Sequence, residues 1–237
     1  LVRAAAADAL QEMSVPLMPG LTEAIENLDD STRDSTLTAL RQMSKKSIPT
    51  LLRLLGNKNF HTRRGAAWAL GELKDAAAVP LLLETLRDPD YLVGADAALA
   101  LGRIKDPVAI PGLLLALGHE NWRVSKAASK ALAWIGAPAA PGLIEVLSQK
   151  TNPPRKLVRT IDALAYIKHE DVAPALLKAT YSRNVEVRSA AIEALRDQRD
   201  DASVKRLIEC LADTARSRWS KQRICDMAGS ILITVGS

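Results

Sequence analysis

Catalytic chemistry has few candidate residues in this sequence. Two of its three histidines are followed by glutamate, in His119-Glu120 and His169-Glu170, and its two cysteines are Cys210 and Cys225. Imidazole, carboxylate and thiolate groups bind transition metals, but these residues show no metal-binding spacing. A phosphate-binding loop, a dinucleotide fingerprint, a zinc-protease motif and a nucleophile elbow are also missing from the sequence. We therefore predict no catalytic residue, no metal ligand and no cofactor.

Aromatic and basic side chains offer a different chemistry, which is the binding of a partner. The 237 residues include one Phe, three Tyr and four Trp, and several of these lie beside arginine or lysine, as in Trp122-Arg123. Aromatic rings together with arginine are typical of binding hot spots. Whether these residues form one surface depends on the elements that position them.

The composition indicates that those elements are helices. The chain contains 38 Ala and 35 Leu, which are strong helix formers, and few of the β-branched and aromatic residues that strands favour. A β-sandwich or β-barrel is therefore excluded. With 48% hydrophobic and 25% charged residues, the chain is also unlike a disordered protein.

An internal repeat of about 31 residues runs through the chain. One marker is a leucine that recurs every 30 to 32 residues, at Leu10, Leu40, Leu70, Leu101, Leu132, Leu164 and Leu195. A second marker is a proline with nearly the same period, at Pro19, Pro49, Pro80, Pro111, Pro141 and Pro174. Two independent markers with one period indicate stacked repeats.

Each repeat reads as two short helices. Residues 76–90 are apolar at helical spacing with Pro80 in the first turn, where no N–H donor is needed, and they end in the turn Asp88-Pro89-Asp90. Residues 91–106 show the same rhythm and are predicted to end near Gly102 and the Lys105-Asp106 turn. Small residues three and four positions before a marker leucine, such as Ala66/Ala67, Ala97/Ala98 and Ala128/Ser129, let neighbouring helices approach closely.

The repeat pattern resembles HEAT repeats, and more narrowly the short repeats of phycobilisome lyase-type HEAT-like proteins. The resemblance rests on Thr62-Arg63, the run from Trp68 to Asp75, Val187-Arg188 and Ala194-Leu195. It implies an all-α, right-handed α-solenoid of about seven helix-pair repeats plus a terminal half-repeat. Gly94, Ser125 and Leu157 replace the arginine found in other repeats, so those repeats are expected to lack its bond to the next repeat.

We predict a single array over residues 1–237. Its repeats are 1–14 (partial), 15–44, 45–74, 75–106, 107–136, 137–168, 169–199 and 200–237, and both ends read as cut from a longer chain. Pro153-Pro154 is expected to give repeat 137–168 an extended approach to its second helix. Residues 212–223 read as a lengthened basic loop that carries Trp219 and Arg218.

The resemblance implies that the second helix of each pair lines a concave surface. Counting from the marker leucine, positions −10, −9, −6, −5, −2 and +2 are expected to point away from the core. Six of the eight aromatic residues fall in these positions, in four consecutive repeats. The predicted binding residues are Phe60, Arg64, Trp68, Tyr91, Arg103, Trp122, Arg123, Lys126, Lys130, Trp134, Arg155, Arg159 and Tyr166.

We interpret the protein as a non-enzymatic interaction scaffold that binds a protein or peptide in this aromatic and basic groove. One alternative is a phycobilin lyase-type protein that stacks a bilin on the aromatic rings. Another is a nucleic-acid-binding HEAT-like protein, although Glu72, Asp96 and Asp162 share the surface. Deoxyhypusine hydroxylase, also HEAT-like, holds iron with His-Glu pairs in equivalent repeat positions. Here the two pairs are out of phase with the repeat, so they are not expected to share a metal.

The net charge of +5 is confined to one part of the chain. Residues 1–149 hold 16 basic and 16 acidic side chains, so the whole excess lies in residues 150–237. No apolar run reaches the roughly 18–20 residues of a membrane span. With two cysteines and no signal-peptide pattern, we predict a cytoplasmic protein without membrane contact.

Overall fold

The computed structural model describes residues 47–149, 151–196, 201–217 and 222–235. These residues form twelve α-helices, and their only β-type pairing is an isolated bridge between Arg216 and Arg223. The repeats predicted over 1–14 and 15–44 lie outside the described residues, as do Arg218, Trp219 and Lys221 of the basic loop.

The N-terminal unit, which ends at Ile135, has three helix pairs in its described part. The first helices contain seven residues each and the second helices fourteen. The pairs are α1 (Ile48–Leu54) and α2 (Phe60–Leu73), α3 (Val79–Thr85) and α4 (Tyr91–Ile104), and α5 (Ile110–Ala116) and α6 (Trp122–Ile135). Short 3-10 turns, Ala76–Ala78 and Pro107–Ala109, lead into α3 and α5. Helix α4 packs against both α2 and α6.

The C-terminal unit, which starts at Gly136, also has three described pairs. They are α7 (Ala140–Ser148) and α8 (Pro154–Leu164), α9 (Val172–Ala179) and α10 (Val185–Ala194), and α11 (Asp201–Cys210) and α12 (Ile224–Val235). Helix α10 packs against α8 and α12. Pro153 has the predicted extended backbone, with φ −64° and ψ 146°. That the repeats of both units form one array stays a prediction.

The second helices begin at N-caps that recur with the period of the repeat. The side chains of Asn59, Asp90, Asn121 and Asn184 each accept a hydrogen bond from the backbone N–H two residues later. Such caps satisfy N–H groups that have no partner inside the helix. The prolines lie at the predicted place, in the first turns of α1, α3, α5 and α7.

The turn between the two helices is also repeated. Asn57, Asp88, His119, Ser182 and Asp213 each accept a hydrogen bond from the backbone N–H two residues later. Arginines on two second helices bind the following inter-helix turn, which is the bond to the next repeat that the resemblance implies. Arg63 makes two hydrogen bonds to Asp88, of 2.8 and 2.9 Å, and Arg188 makes one of 2.8 Å to Asp213.

The marker leucines form the core, together with leucines of the first helices. Leu70, Leu101, Leu132, Leu164 and Leu195 have no exposed surface. Fully burying a leucine stabilises the fold by about 1.5–3 kcal/mol. The leucines that recur about every 31 residues in the sequence are therefore the residues that recur in the core.

Glycines allow the second helices of the N-terminal unit to touch backbone to backbone. A Cβ atom on Gly71 would lie 2.7 Å from Ala100 Cα, and one on Gly102 would lie 2.5 Å from Ala131 Cα. Both distances are too short for any real carbon contact. Helix α4 continues past Gly102 to Ile104, so this glycine serves helix packing and does not end the helix.

Helices α2 and α4 end in a left-handed residue that is not glycine. Lys74 has φ 54° and Lys105 has φ 60°, and each donates its N–H to the carbonyl of the marker leucine four residues earlier. Gly136 occupies the same place after α6, with φ 84°. After α2, α4 and α6 the chain therefore takes a positive φ at this point, which glycine adopts without steric cost.

Candidate partner-binding surface

Three neighbouring helices of the N-terminal unit present the predicted binding residues on one side. Helix α2 carries Phe60, Arg64, Trp68 and Glu72, which are four residues apart and therefore lie on one face. Helices α4 and α6 continue the pattern, and contacts described below connect the side chains of all three. We call this set the second-helix surface, and it consists of Phe60, Arg64, Trp68, Glu72, Tyr91, Asp96, Arg103, Trp122, Arg123, Lys126, Lys130 and Trp134.

One part of the positional prediction is wrong. Positions −6 and −5 were both expected to face solvent, yet Gly65, Ala95 and Ala127 are buried. Adjacent residues on a helix point about 100° apart, so both cannot lie at the centre of one stripe. The neighbours Arg64, Asp96 and Lys126 are the ones that reach the surface.

The charges carried by α2 and α4 are paired with each other. Arg64 Nε lies 2.8 Å from Asp96 Oδ2, and Arg103 Nε lies 2.9 Å from Glu72 Oε1. All four side chains are between 19% and 32% exposed. Partly exposed ion pairs of this kind contribute about 1 kcal/mol or less. Arg64 and Arg103 thus each have a carboxylate partner inside the chain.

The exposed aromatic rings are in contact with cations of the same chain. The guanidinium carbon of Arg103 lies 5.5 Å from the centre of the Trp134 ring. That of Arg123 lies 5.5 Å from the Tyr91 ring and 4.8 Å from the Trp122 ring. Lys126 Nζ lies 5.8 Å from the Trp122 ring. Each distance is within the range of a cation–π interaction.

Helix α6 differs from α2 and α4 because its cations have no carboxylate partner. It carries Arg123, Lys126 and Lys130 and no acidic residue. All three side chains are exposed, and no carboxylate of the described residues lies within ion-pair distance of them. The positive charge of the second-helix surface is therefore concentrated on α6.

The two aromatic residues of α2 are less accessible than those of α4 and α6. Trp68 and Phe60 are only partly exposed, and the Phe60 ring is 3.9 Å from the His61 ring, centre to centre. Tyr91, Trp122 and Trp134 are 39%, 48% and 40% exposed. The most accessible aromatic rings of this unit thus lie on α4 and α6.

The remaining predicted residues belong to the C-terminal unit. Arg159 is paired with Asp162 on the same helix at 2.8 Å, and Arg155 is exposed at the start of α8. Tyr166, which is 80% exposed, lies in the turn after α8, although the sequence placed it on the helix. Helix α8 ends at Leu164 and is three residues shorter than the second helices of the N-terminal unit.

Two of the three histidines, His119 and His169, accept hydrogen bonds in turns between helices. His119 Nδ1 accepts the N–H of Asn121 at 3.0 Å, and His169 Nδ1 accepts the N–H of Asp171 at 3.2 Å. Within the described residues, no three His, Cys, Asp or Glu side chains are grouped so that they could hold a metal ion. Cys210 is buried, and this burial raises the pKa of its thiol.

Sequence reasoning missed a second arginine cluster, in the C-terminal unit. The guanidinium carbon of Arg206 lies 3.7 Å from the centre of the Tyr181 ring, and its Nη1 lies 3.0 Å from Glu209 Oε2. Arg206 Nε also donates to Thr180 Oγ1 at 2.7 Å. The hydrogen bond from Arg206 lowers the pKa of the Glu209 carboxyl. The spacing of Arg206 and Glu209, three residues apart on one helix, was the available signal.

Comparison with known proteins identifies the family. The chain matches the HEAT repeats family over residues 18–100, 79–159 and 140–222, and it belongs to that family. No curated protein sequence matches it significantly.

Solved structures are similar in fold. A HEAT-like repeats protein from Thermococcus onnurineus NA1 is 14% identical, with a TM-score of 0.54 over 92% of this chain and 99% of that one. The Escherichia coli protein YibA is 15% identical, with a TM-score of 0.53 over 97% and 96%. The complex of CpcE and CpcF of phycocyanin lyase from Nostoc sp. PCC7120 is 25% identical, with a TM-score of 0.48 over 80% and 77%.

These findings confirm the all-α, HEAT-like repeat fold. Within the described residues, no single helix is both long and apolar enough to cross a membrane. Only Trp122–Ile135 and Ala137–Ser148 taken together reach that length and composition.

Proposed function

We propose that this protein is a non-enzymatic interaction scaffold that binds a protein or peptide partner on the second-helix surface. The observation that carries the proposal is the group of Tyr91, Trp122 and Trp134, which are 39% to 48% exposed and lie beside arginines on adjacent helices. Arg155, Arg159 and Tyr166 stay predicted contacts of the same partner.

Physical reasons favour a binding role for these rings. Large rigid aromatic side chains lose little conformational entropy on binding and bury much apolar area, so they dominate interface energies. The core of the repeat is built from leucine and alanine, so it does not require these rings. Exposed aromatic residues grouped on one surface are typical of a partner interface.

We also assign the protein to a reducing compartment such as the cytoplasm. Cys210 and Cys225 are both free thiols in the structure. A HEAT-repeat protein of a reducing compartment does not depend on disulfides for its stability, because stacked repeats supply the buried area.

A selection experiment tests the proposed function. Peptides are selected from a displayed random library on the wild-type chain, and the affinity of the selected peptides is then measured for Trp122→Ala and Trp134→Ala. We expect each substitution to weaken binding by about tenfold or more, since truncating a hot-spot aromatic costs 2 kcal/mol or more. Circular dichroism and the melting temperature should change little, because both rings are on the surface.

Leu115→Ala provides the matched control. Leu115 is 68% exposed and lies on α5, the first helix of the same pair. Its truncation should leave peptide binding unchanged. If the selected peptides bind all three variants as tightly as the wild type, the second-helix surface is not the binding site.

A further inference from the structure

Two arginines of the described residues, Arg103 and Arg206, each lie near an aromatic ring and can be compared with Arg123. Arg103 stacks on Trp134 and binds the carboxylate of Glu72 at 2.9 Å. Arg206 stacks on Tyr181 and binds the carboxylate of Glu209 at 3.0 Å. In both clusters the guanidinium lies near an aromatic ring and also binds a carboxylate, and Arg206 donates in addition to Thr180.

Arg123 has the same arrangement without the carboxylate. Its guanidinium lies near two rings, Tyr91 at 5.5 Å and Trp122 at 4.8 Å, and its side-chain N–H groups donate no hydrogen bond to any described residue. A guanidinium offers five donors in a planar fork that matches a carboxylate. The two rings restrict its orientation in advance, which lowers the entropy lost when a ligand binds.

Lys126 and Lys130 continue the charge along the same helix. At about 1.5 Å per residue, their Cα atoms lie about 4.5 and 10.5 Å along the helix axis from that of Arg123. The sequence of α6 contains no acidic residue, so nothing on the helix neutralises these cations. They form a positive stripe about 10 Å long that begins at Arg123.

We propose that Arg123, Lys126 and Lys130 bind an acidic segment of a partner protein, with one Asp or Glu carboxylate in the fork of Arg123. This inference rests on the proposed scaffold function and specifies the chemistry of its partner. Lys126 and Lys130 take further carboxylates of the same segment. We expect the ligand to be an acidic peptide because Arg103 and Arg206 both bind carboxylates within the chain. A nucleic acid is less suitable because Glu72 and Asp96 interrupt the positive surface that a phosphate backbone would follow.

Fluorescence anisotropy with defined peptides tests the proposal. The probe is a fluorescein-labelled twelve-residue peptide of alternating Glu and Gly, and its neutral counterpart has Gln in place of Glu. We expect the acidic peptide to bind at low ionic strength, with an affinity that falls as salt is added, and the neutral one to bind at least about tenfold more weakly.

Substitutions on α6 identify the residues involved. Arg123→Lys keeps the charge but removes the fork, so it should weaken the acidic peptide by about tenfold, the effect of losing charge-assisted hydrogen bonds. Lys126→Gln and Lys130→Gln should each weaken it by about twofold to threefold. Lys168→Gln, which removes an exposed lysine of the C-terminal unit, should have no effect.

Three outcomes would overturn the inference. The first is equal binding of the acidic and neutral peptides, and the second is equal affinity of Arg123→Lys and Lys168→Gln for the acidic peptide. The third is tighter binding of single-stranded DNA than of the acidic peptide, with the same dependence on Arg123. That result would show that Arg123, Lys126 and Lys130 bind phosphate groups. If library peptides still require Trp122 in those cases, the scaffold function stands and only its acidic partner is wrong.

Discussion

Arg63 and Arg123 lie in the N-terminal halves of second helices in the same unit, but their surroundings differ. The side chain of Arg63 is 11% exposed, and it binds the fully buried carboxylate of Asp88 and the carbonyls of Asn57 and Lys58. The side chain of Arg123 is exposed, stacks on two rings and has no carboxylate within the described chain. We call the Arg63 site closed, because the chain itself supplies the carboxylate that Arg63 binds. We call the Arg123 site open, because no described residue supplies one.

The role of an arginine in this fold therefore depends on whether its own chain supplies the carboxylate. A buried guanidinium must have its donors satisfied by the chain, because leaving them without acceptors costs free energy. A surface guanidinium that is held in place by aromatic rings satisfies its donors with water and can exchange that water for a ligand.

Removing the carboxylate from the closed site should have the greatest effect on the stability of the protein. Asp88→Ala leaves Arg63 buried without its carboxylate, which should lower the free energy of unfolding by about 3–5 kcal/mol. Thermal and urea unfolding followed by circular dichroism measure this change. The equivalent Asp213→Ala should cost less, because Asp213 and Arg188 are 26% and 16% exposed. An equal loss in both variants would contradict the role of burial.

Separating α4 from α6 tests whether the open site depends on helix packing. Gly102→Ala places a methyl group against the backbone of Ala131, and overpacking of this kind costs about 1–3 kcal/mol. It should also shift Trp134 away from Arg103, since the added methyl group would lie 3.0 Å from the Trp134 ring. Gly229→Ala on α12 is the control. Its nearest neighbour would be 3.7 Å away, so it should be neutral or slightly stabilising. If Gly102→Ala leaves the free energy of unfolding unchanged, α4 and α6 are not in close contact.

Supplying Arg123 with a carboxylate from its own chain should close the open site. Tyr91→Glu puts a carboxylate at the ring position beside the guanidinium, and it should weaken the acidic peptide by about tenfold, relative to Tyr91→Gln. The Gln variant controls for loss of the aromatic ring. Anisotropy with the acidic peptide gives both affinities. If the Glu and Gln variants bind equally, Arg123 does not contact the carboxylates of the peptide.

The smallest effect comes from converting a paired arginine into an open one. Glu72→Gln removes the carboxylate from Arg103, which stays stacked on Trp134. We expect the acidic peptide to bind about twofold to fivefold more tightly, while stability changes by less than about 1 kcal/mol because the pair is partly exposed. An unchanged affinity would mean that a stacked arginine without a carboxylate does not suffice for binding.

Much of the fold could be predicted from the sequence, because the buried surface repeats with the chain. The marker leucines and the prolines in the first turns follow from a period of 31 residues. The resemblance implies an inter-repeat bond for Arg63 and Arg188, and the structure supplies its acceptors, Asp88 and Asp213. The predicted helix end near Gly102 and Lys105 is confirmed, because α4 ends at Ile104. The packing role of Gly102 could not be predicted, since a glycine near a helix end is compatible with a stop and with a close contact alike. Only the position of Ala131 on the neighbouring helix shows the contact.

The binding surface could be predicted only in part. The four-residue spacing places Trp122, Lys126, Lys130 and Trp134 on one face of a helix, and the structure has them there. The pairing of Arg64 and Arg103 with Asp96 and Glu72 could not be derived, because it depends on how far two helices are offset along their axes. Tyr166 was placed on a helix because the repeat pattern does not show that α8 ends early.

The contacts of Gly71 and Gly102 also bear on how such a chain can lengthen during evolution. The repeat that contains α4 carries both halves of the contact: Ala100 fits against the glycine before it, and Gly102 accepts the alanine after it. If that repeat were duplicated in tandem, the alanine of the copy would pack against the original Gly102. The glycine of the copy would then pack against Ala131. A copy of the repeat that contains α6 would instead meet Ala133, which has a methyl group where the earlier repeats have none. Duplication of the α4 repeat is thus compatible with the existing stack, and duplication of the α6 repeat requires a compensating change.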